Sequence, residues 1–264
     1  MNAASDKVYT ACVLIIGNEI LSGRTQDENL AYIAKGLAES GVVLKEARVI
    51  PDVEATIIRH VNELRAQYDY VFTTGGIGPT HDDITSECVA KAFGVKWTLH
   101  PDAHKIFLSL YKPEDLNEAR LRMAHTPEGA SLIANPVSRA PGFQMGNVYV
   151  MAGIPRVMQA MFDSVRPTLT GGPPVLSRTV GCDLPEGAIA KRLGAVQARY
   201  GDVDIGSYPF YRRGIFGTSL VLRGRDPTRL DQAAQEVMAM VKELVSNSKM
   251  ETLPKVSMSG SKYS

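Results

Sequence analysis

The sequence is poor in cysteine, has a single tryptophan, carries almost no net charge and contains no long apolar run. Each scarcity excludes something. The three cysteines, Cys12, Cys88 and Cys182, are odd in number and far apart, and two fall inside apolar strand or helix patterns. They read as buried thiols in a reducing compartment. Lys plus Arg number 29 against 28 Asp plus Glu, so the total calls for neither nucleic acid nor an acidic membrane as partner. No basic-then-apolar leader opens the chain, and no apolar run approaches the roughly 20 residues that span a bilayer. The expected location is cytoplasmic. A chain of 264 residues can form one large domain or two modest ones.

What is present is organised around Tyr70 to Thr85. Tyr70-Val71-Phe72-Thr73-Thr74 suits a buried strand, and it breaks into Gly75-Gly76-Ile77-Gly78-Pro79, where glycine can take backbone angles closed to other residues. Thr80 offers an oxygen to cap a helix, Asp83 stands in a capping-box-like position, and Ile84 and Cys88 begin an apolar stripe. A helix start behind a glycine loop presents free N–H groups and the positive end of a dipole, which together favour an anion such as phosphate. Asp82 and Asp83 would repel that anion unless a cation lies between them, and Mg²⁺ typically uses one or two carboxylates, water and substrate phosphate oxygens. The same aspartates could serve only the helix dipole. No Lys-Ser or Lys-Thr follows the last glycine, so this is not a Walker loop, and it is not Gly-x-Gly-x-x-Gly.

Around this stretch the chain alternates. Val8 to Ile16 reads as a strand, Gln26 to Ser40 as a helix, Val42 to Ile50 as a strand, and the segment from Pro51-Asp52 as a helix with Ile57, Val61 and Leu64 on one face. That rhythm predicts an α/β fold, a three-layer, mostly parallel sheet. Ligands bind such sheets at the carboxyl ends of strands, which puts Gly17-Asn18-Glu19, Pro51-Asp52 and Gly75 to Asp83 on one rim. Between Lys96 and Ala140 the pattern is helical but broken, with short helices expected over 101–111 and 114–124. Two strands, Phe143 to Met145 and Val148 to Met151, and a helix opened by Gly153-Ile154-Pro155 follow. Thr170-Gly171-Gly172-Pro173-Pro174 reads as a boundary. A smaller α+β domain of βαββα order is expected over 175–246, with helices at Pro185 to Tyr200 and Asp226 to Val245, and a disordered tail over 247–264.

Thr73 to Thr85 resembles the signature of the molybdopterin-binding (MoaB/MogA/CinA-like) superfamily, and Gly17-Asn18-Glu19-Ile20-Leu21-Ser22-Gly23 resembles the opening motif of its CinA-like branch. The resemblance implies a nucleotide-binding domain over 1–170. It implies a site in which Asp83, Asp82 and Asp52 are catalytic, Asp83 and Asp82 hold metal, and Gly17, Asn18, Glu19, Thr74, Gly75, Gly76, Gly78, Pro79, Thr85, Gly142, Gly153 and Pro155 meet the substrate. Asp52 has a second reading, as N-cap of the helix that follows it. The expected cofactor is a divalent cation, Mg²⁺, Mn²⁺ or Co²⁺, with K⁺ as a candidate second ion and no organic cofactor assured. The expected partner is a small nucleotide or pterin, in a homo-oligomer. Two departures from the family pattern stand out. The chain stops short of the nicotinamide-nucleotide deamidase domain of many CinA-like proteins, so that activity is expected to be absent. Ala152-Gly153-Ile154-Pro155 replaces a usual Pro-Gly-Pro-Pro.

The implied activity is a metal-dependent pyrophosphatase acting on a nucleoside-diphosphate-linked compound such as ADP-ribose or FAD. The alternative is a pterin-binding protein of molybdenum-cofactor synthesis. Other constellations carry less. His100 and His104 share a helix face but lack the Glu of a His-Glu-x-x-His zinc site. Tyr208, Phe210, Tyr211, Arg212 and Arg213, with Arg223, Arg225 and Arg229, could stack bases and grip phosphates, or form an exposed turn over core aromatics.

Overall fold

The computed structural model describes residues 7–212 and 215–251. The chain divides into two compact units, Met1–Pro174 and Val175–Ser264. The first unit runs β1 (Thr10–Ile16), α1 (Asn18–Leu21), α2 (Asn29–Glu39), β2 (Val43–Ile50), α3 (Glu54–Gln67), β3 (Tyr70–Thr74) and α4 (Thr85–Phe93). It continues through β4 (Trp97–Leu99), α5 (Pro101–Leu110), α6 (Glu118–Arg122), β5 (His125–Pro127), β6 (Ser131–Ile133), β7 (Gly142–Met145), β8 (Val148–Met151) and α7 (Pro155–Val165). Six strands form one sheet in the order β2-β1-β3-β8-β7-β6. β1 is parallel to β2 and β3, β3 is parallel to β8, and β7 is antiparallel to both its neighbours.

β1 shows why the sheet is sandwiched. Successive side chains on a strand point to opposite faces, and here both sets are apolar. Ala11, Val13 and Ile15 pack with Ile33, Leu37, Met158 and Phe162 of α2 and α7. Cys12, Leu14 and Ile16 pack with Ile57, Val61 and Leu64 of α3 and Cys88 and Val89 of α4. Burying each of Val13, Leu14, Ile15 and Ile16 contributes about 1.5–3 kcal/mol, so both faces of this strand need a covering layer of helices.

Several expected boundaries move. The segment after α4 is less helical than its pattern suggests, because β4 pairs antiparallel with β5 as a separate ribbon and β6 adds an edge to the main sheet. Strands of three residues are too short for their period to show. The expected 114–124 helix shrinks to α6 because the Asn117 side chain accepts the Arg120 N–H at 3.0 Å and caps the helix there. α2 starts at Asn29, after the Asp27 carboxylate takes the Leu30 N–H at 2.9 Å.

The second unit comprises β9 (Leu176–Cys182), α8 (Glu186–Arg199), β10 (Asp204–Arg212), β11 (Ile215–Gly224) and α9 (Pro227–Glu251). Its sheet has the order β10-β11-β9 and is antiparallel throughout. Leu220 and Leu222 of the central strand pack under Ile189 and Val196 of α8 and Leu230, Ala233 and Val237 of α9. α9 runs on to Glu251, so the expected tail loses 247–251 to a helix. Residues 252–264 of that tail, and Arg213, lie outside the described residues. Among the described residues no helix is long and apolar enough to cross a membrane.

Candidate functional site

The segments that follow β1, β2, β3 and β8 are tied together by backbone hydrogen bonds. Gly17 N–H donates to the Ile50 carbonyl at 3.1 Å, and Gly75 N–H donates to the Met151 carbonyl at 3.1 Å. The Asp52 carboxylate accepts the Asn18 N–H at 2.9 Å. At Gly75 the chain takes φ +100°, and a Cβ there would lie 2.1 Å from the Ile16 carbonyl oxygen. Only glycine lets β3 turn over the end of β1 so closely. Gly76 is also left-handed, φ +69°, with its carbonyl accepting the Thr85 N–H at 3.0 Å.

The glycine loop is therefore built, but its exit differs from the sequence expectation. Thr80 does not cap a helix: its N–H donates to the Asp83 carboxylate at 2.9 Å and its hydroxyl donates to the same oxygen. α4 begins only at Thr85, with Ile84 as an N-cap that supplies no side-chain bond. The N–H groups of Gly76, Ile77 and Gly78 have no partner among the described residues. Beneath them the hydroxyls of Thr74 and Thr85 are buried without a partner. Buried polar groups are nearly always satisfied, so a ligand or water oxygen is the expected partner of these hydroxyls.

A cleft of about 570 Å³ opens over the loop. Of the expected site residues, Glu19, Gly75, Gly76, Gly78, Pro79, Asp83, Gly153 and Pro155 line it. Thr74 and Thr85 sit under its floor, both buried. Gly17 is held by its neighbour, since a Cβ there would meet the Glu19 carboxylate at 2.5 Å.

Asn18, Asp52, Asp82 and Gly142 are not part of the lining. One oxygen of the Asp52 carboxylate is taken by the loop after β1, and α3 is capped at Val53 with no side-chain bond, so Asp52 is not its N-cap. Gly142 is a sheet position, where a Cβ would stand 2.4 Å from the Val150 carbonyl oxygen. Asp82 is exposed beside His81, 3.9 Å away. The adjacent aspartates thus part company, and the carboxylates that share the cleft are Glu19 and Asp83.

That donor set decides which cation would fit. Among the described residues no three His, Cys, Asp or Glu side chains cluster closely enough for a protein-built metal cage. A transition-metal site of zinc type does not fit. A hard divalent cation held by one or two carboxylates, with water and ligand phosphate completing its shell, does. The unpartnered Thr74 and Thr85 hydroxyls offer further oxygens nearby.

Sequence reasoning missed two polar residues here. Asn29 donates from Nδ2 to the Gly153 carbonyl at 2.8 Å, and its Oδ1 is buried without a partner. A signal existed: Asn29 falls on the apolar stripe of Ile33 and Leu37, where an amide is out of place. Arg122, at the end of α6, reaches a crevice beside Gly78 and Asp83, and nothing in its local sequence marks it.

Members of the other constellations have local partners. His100 caps α5, its Nδ1 accepting from Asp102 N–H at 3.2 Å and Ala103 N–H at 3.4 Å. Tyr211 and Phe216 stack on each other at 4.5 Å on an exposed hairpin, and Arg229 pairs with Asp202 at 3.1 Å. Cys12, Cys88 and Cys182 are free and buried, and burial pushes the thiols of Cys12 and Cys88 up to about 12.

A three-layer sheet with a largely apolar cleft, holding Glu19 and Asp83, at its parallel strand ends is the usual form of an α/β protein with a small-molecule site. Residues 12–171 match the family described as "Probable molybdopterin binding domain", and the chain belongs to this MoaB/CinA-like superfamily. Residues 174–249 match "FAD synthase, middle domain". A protein of Archaeoglobus fulgidus is 34% identical over 85% of this chain and 94% of its own length. A "Probable FAD synthase" of Caenorhabditis briggsae is 31% identical over 89% of this chain, and a "CinA-like protein" of Desulfosudis oleivorans is 35% identical over 72%. The chain spans only 49% and 50% of those two relatives. The crystal structure of a CinA protein of unknown function from Thermoplasma acidophilum superimposes with a TM-score of 0.58 at 33% identity, covering 61% of this chain and 98% of that one.

Proposed function

We propose that the first unit is a metal-dependent pyrophosphatase that cleaves a nucleoside-diphosphate-linked compound of the ADP-ribose or FAD class. The observation that carries this reading is the strand-end cleft, where free loop N–H groups face the same space as Glu19 and Asp83. Its volume of about 570 Å³ falls within the roughly 300–1,000 Å³ of small-molecule sites. The similarity of the second unit to the middle domain of FAD synthase, and of the whole chain to worm proteins named for that enzyme, supports a flavin or adenine dinucleotide as ligand.

In this reading the N–H groups of Gly76, Ile77 and Gly78 hold the diphosphate oxygens, and Asp83, fixed by Thr80, would hold the cation together with ligand phosphate. A divalent cation supplies charge neutralisation at the phosphoryl oxygens and a more acidic water. The water oxygen bonds to one phosphorus, the bridging P–O bond breaks, and the bridging oxygen leaves with the second phosphate. Glu19 is the cleft carboxylate left to accept the water's proton. ADP-ribose would give AMP and ribose 5-phosphate, and FAD would give AMP and FMN.

Release of AMP from ADP-ribose and FAD, assayed with Mg²⁺, Mn²⁺ or Co²⁺ and with and without K⁺, tests the proposal. No AMP under any of these ions rejects it. The family description favours a second reading, in which the same cleft holds a pterin for molybdenum-cofactor synthesis. Co-purification of a fluorescent pterin, with no AMP release, would put that reading first.

A further inference from the structure

Arg122 is a cation without a counterpart. Its Nε is buried and has no hydrogen-bond partner. Among the described residues its guanidinium makes no ion pair. Its one recorded interaction is with the indole of Trp97, the guanidinium carbon standing 5.2 Å from the ring centroid. That indole is held firmly. Trp97 Nε1 donates to Ser86 Oγ at 3.0 Å, Ser86 Oγ donates to the His125 carbonyl at 2.8 Å, and the rings of Trp97 and His125 lie 4.7 Å apart. An arginine laid on a fixed aromatic face loses little freedom on meeting a ligand.

Position supplies the rest. Arg122 and Trp97 line a crevice together with Ile77, Gly78 and Asp83. Ile77, Gly78 and Asp83 line the large cleft as well, so the crevice that holds Arg122 adjoins the glycine loop. A buried guanidinium donor without an acceptor is costly, and a planar fork of donors suits phosphate. We propose that Arg122 is an anchoring residue for a phosphate group of the ligand held over Gly76 to Gly78, acting from the crevice it shares with Gly78 and Asp83. The inference rests on the nucleotide-binding reading but requires no hydrolysis.

Titration calorimetry on the full chain tests it, with inorganic pyrophosphate and ADP-ribose as probes in Mg²⁺, comparing wild type with Arg122→Gln, Arg122→Met and Arg122→Lys. The Gln and Met variants are expected to bind both probes at least about tenfold more weakly, and the Lys variant to fall between, because an ammonium keeps the charge without the fork. The ligand-free Met variant should keep the wild-type thermal midpoint, since no carboxylate loses its partner, but should lose the stabilisation that pyrophosphate gives. Equal affinity in wild type and the Gln variant overturns the proposal. So does a wild type that binds neither probe, or a Met variant whose ligand-free midpoint drops sharply. Pyrophosphate binding that depends on Arg122, in a protein that releases no AMP, keeps the anchor and removes the pyrophosphatase.

Discussion

In the second unit Arg178 donates to Asp231, Arg192 to Glu243, Arg199 to Glu236 and Arg229 to Asp202, so these four guanidinium groups are answered by carboxylates within the unit. In the first unit Asn29, Thr73, Thr74, Thr85 and Arg122 keep buried polar atoms without partners, and all but Thr73, which lies within β3, border or underlie the strand-end cleft. Both units pack helices on a sheet around an apolar core. They differ in what is left unsatisfied. Exposed ion pairs of the second kind contribute little and specify nothing, whereas buried donors and acceptors left open are tolerable only where a ligand or water completes them. The open polar groups therefore gather in the unit that carries the proposed site.

The sharpest way to break that contrast is Asp83→Asn. It removes a cleft charge while leaving an oxygen to accept from Thr80, and AMP release from ADP-ribose should fall by about a thousandfold, with an unchanged far-ultraviolet circular dichroism spectrum. A residual rate near wild type would move the chemistry elsewhere. Next in size, Leu220→Ala opens the core of the second unit and should cost about 2–5 kcal/mol in urea unfolding, while calorimetric affinity for ADP-ribose in the folded protein stays the same. Gly76→Ala asks for a left-handed alanine whose Cβ would meet the Thr85 hydroxyl at 2.1 Å. A loss of about 1–3 kcal/mol in urea unfolding, with weakened nucleotide binding, is expected.

The smallest effect concerns pH. The Arg48 guanidinium, and then the Tyr68 hydroxyl, hold the Glu46 carboxyl below its ordinary 4.5. A lowered folded value means the stabilisation is complete above the unfolded range and is lost as pH falls through the folded value. Glu46→Gln should therefore cost under about 1 kcal/mol at neutral pH and flatten the decline in urea midpoint below pH about 4.5. This pair lies away from the cleft, so nucleotide affinity should not follow it.

How much of this was legible beforehand depended on whether the determining contacts are local. The continuous apolar run of Val13 to Ile16 announced a strand buried on both faces, and the abrupt Gly75-Gly76 announced a turn that other residues cannot make. The convergence of the loops after β1 and β3 followed from strand order alone. The division of Asp82 from Asp83 was not legible, because it depends on Thr80 turning its N–H and hydroxyl onto Asp83 instead of capping a helix. The tie from Asp52 was not legible for a similar reason, its carboxylate accepting from a loop more than thirty residues away in sequence. Arg122 gave no local signal, since its neighbours Trp97 and Gly78 come from a strand ribbon too short to show a period and from a distant loop.

The most direct test is a crystal soaked with a non-hydrolysable methylene analogue of ADP-ribose and Mn²⁺, with the metal located by its anomalous scattering. The account predicts diphosphate density against the N–H groups of Gly76 to Gly78 and a manganese peak at coordination distance from Asp83. Density confined to the second unit, or a metal peak that leaves Asp83 bonded only to Thr80, would contradict it.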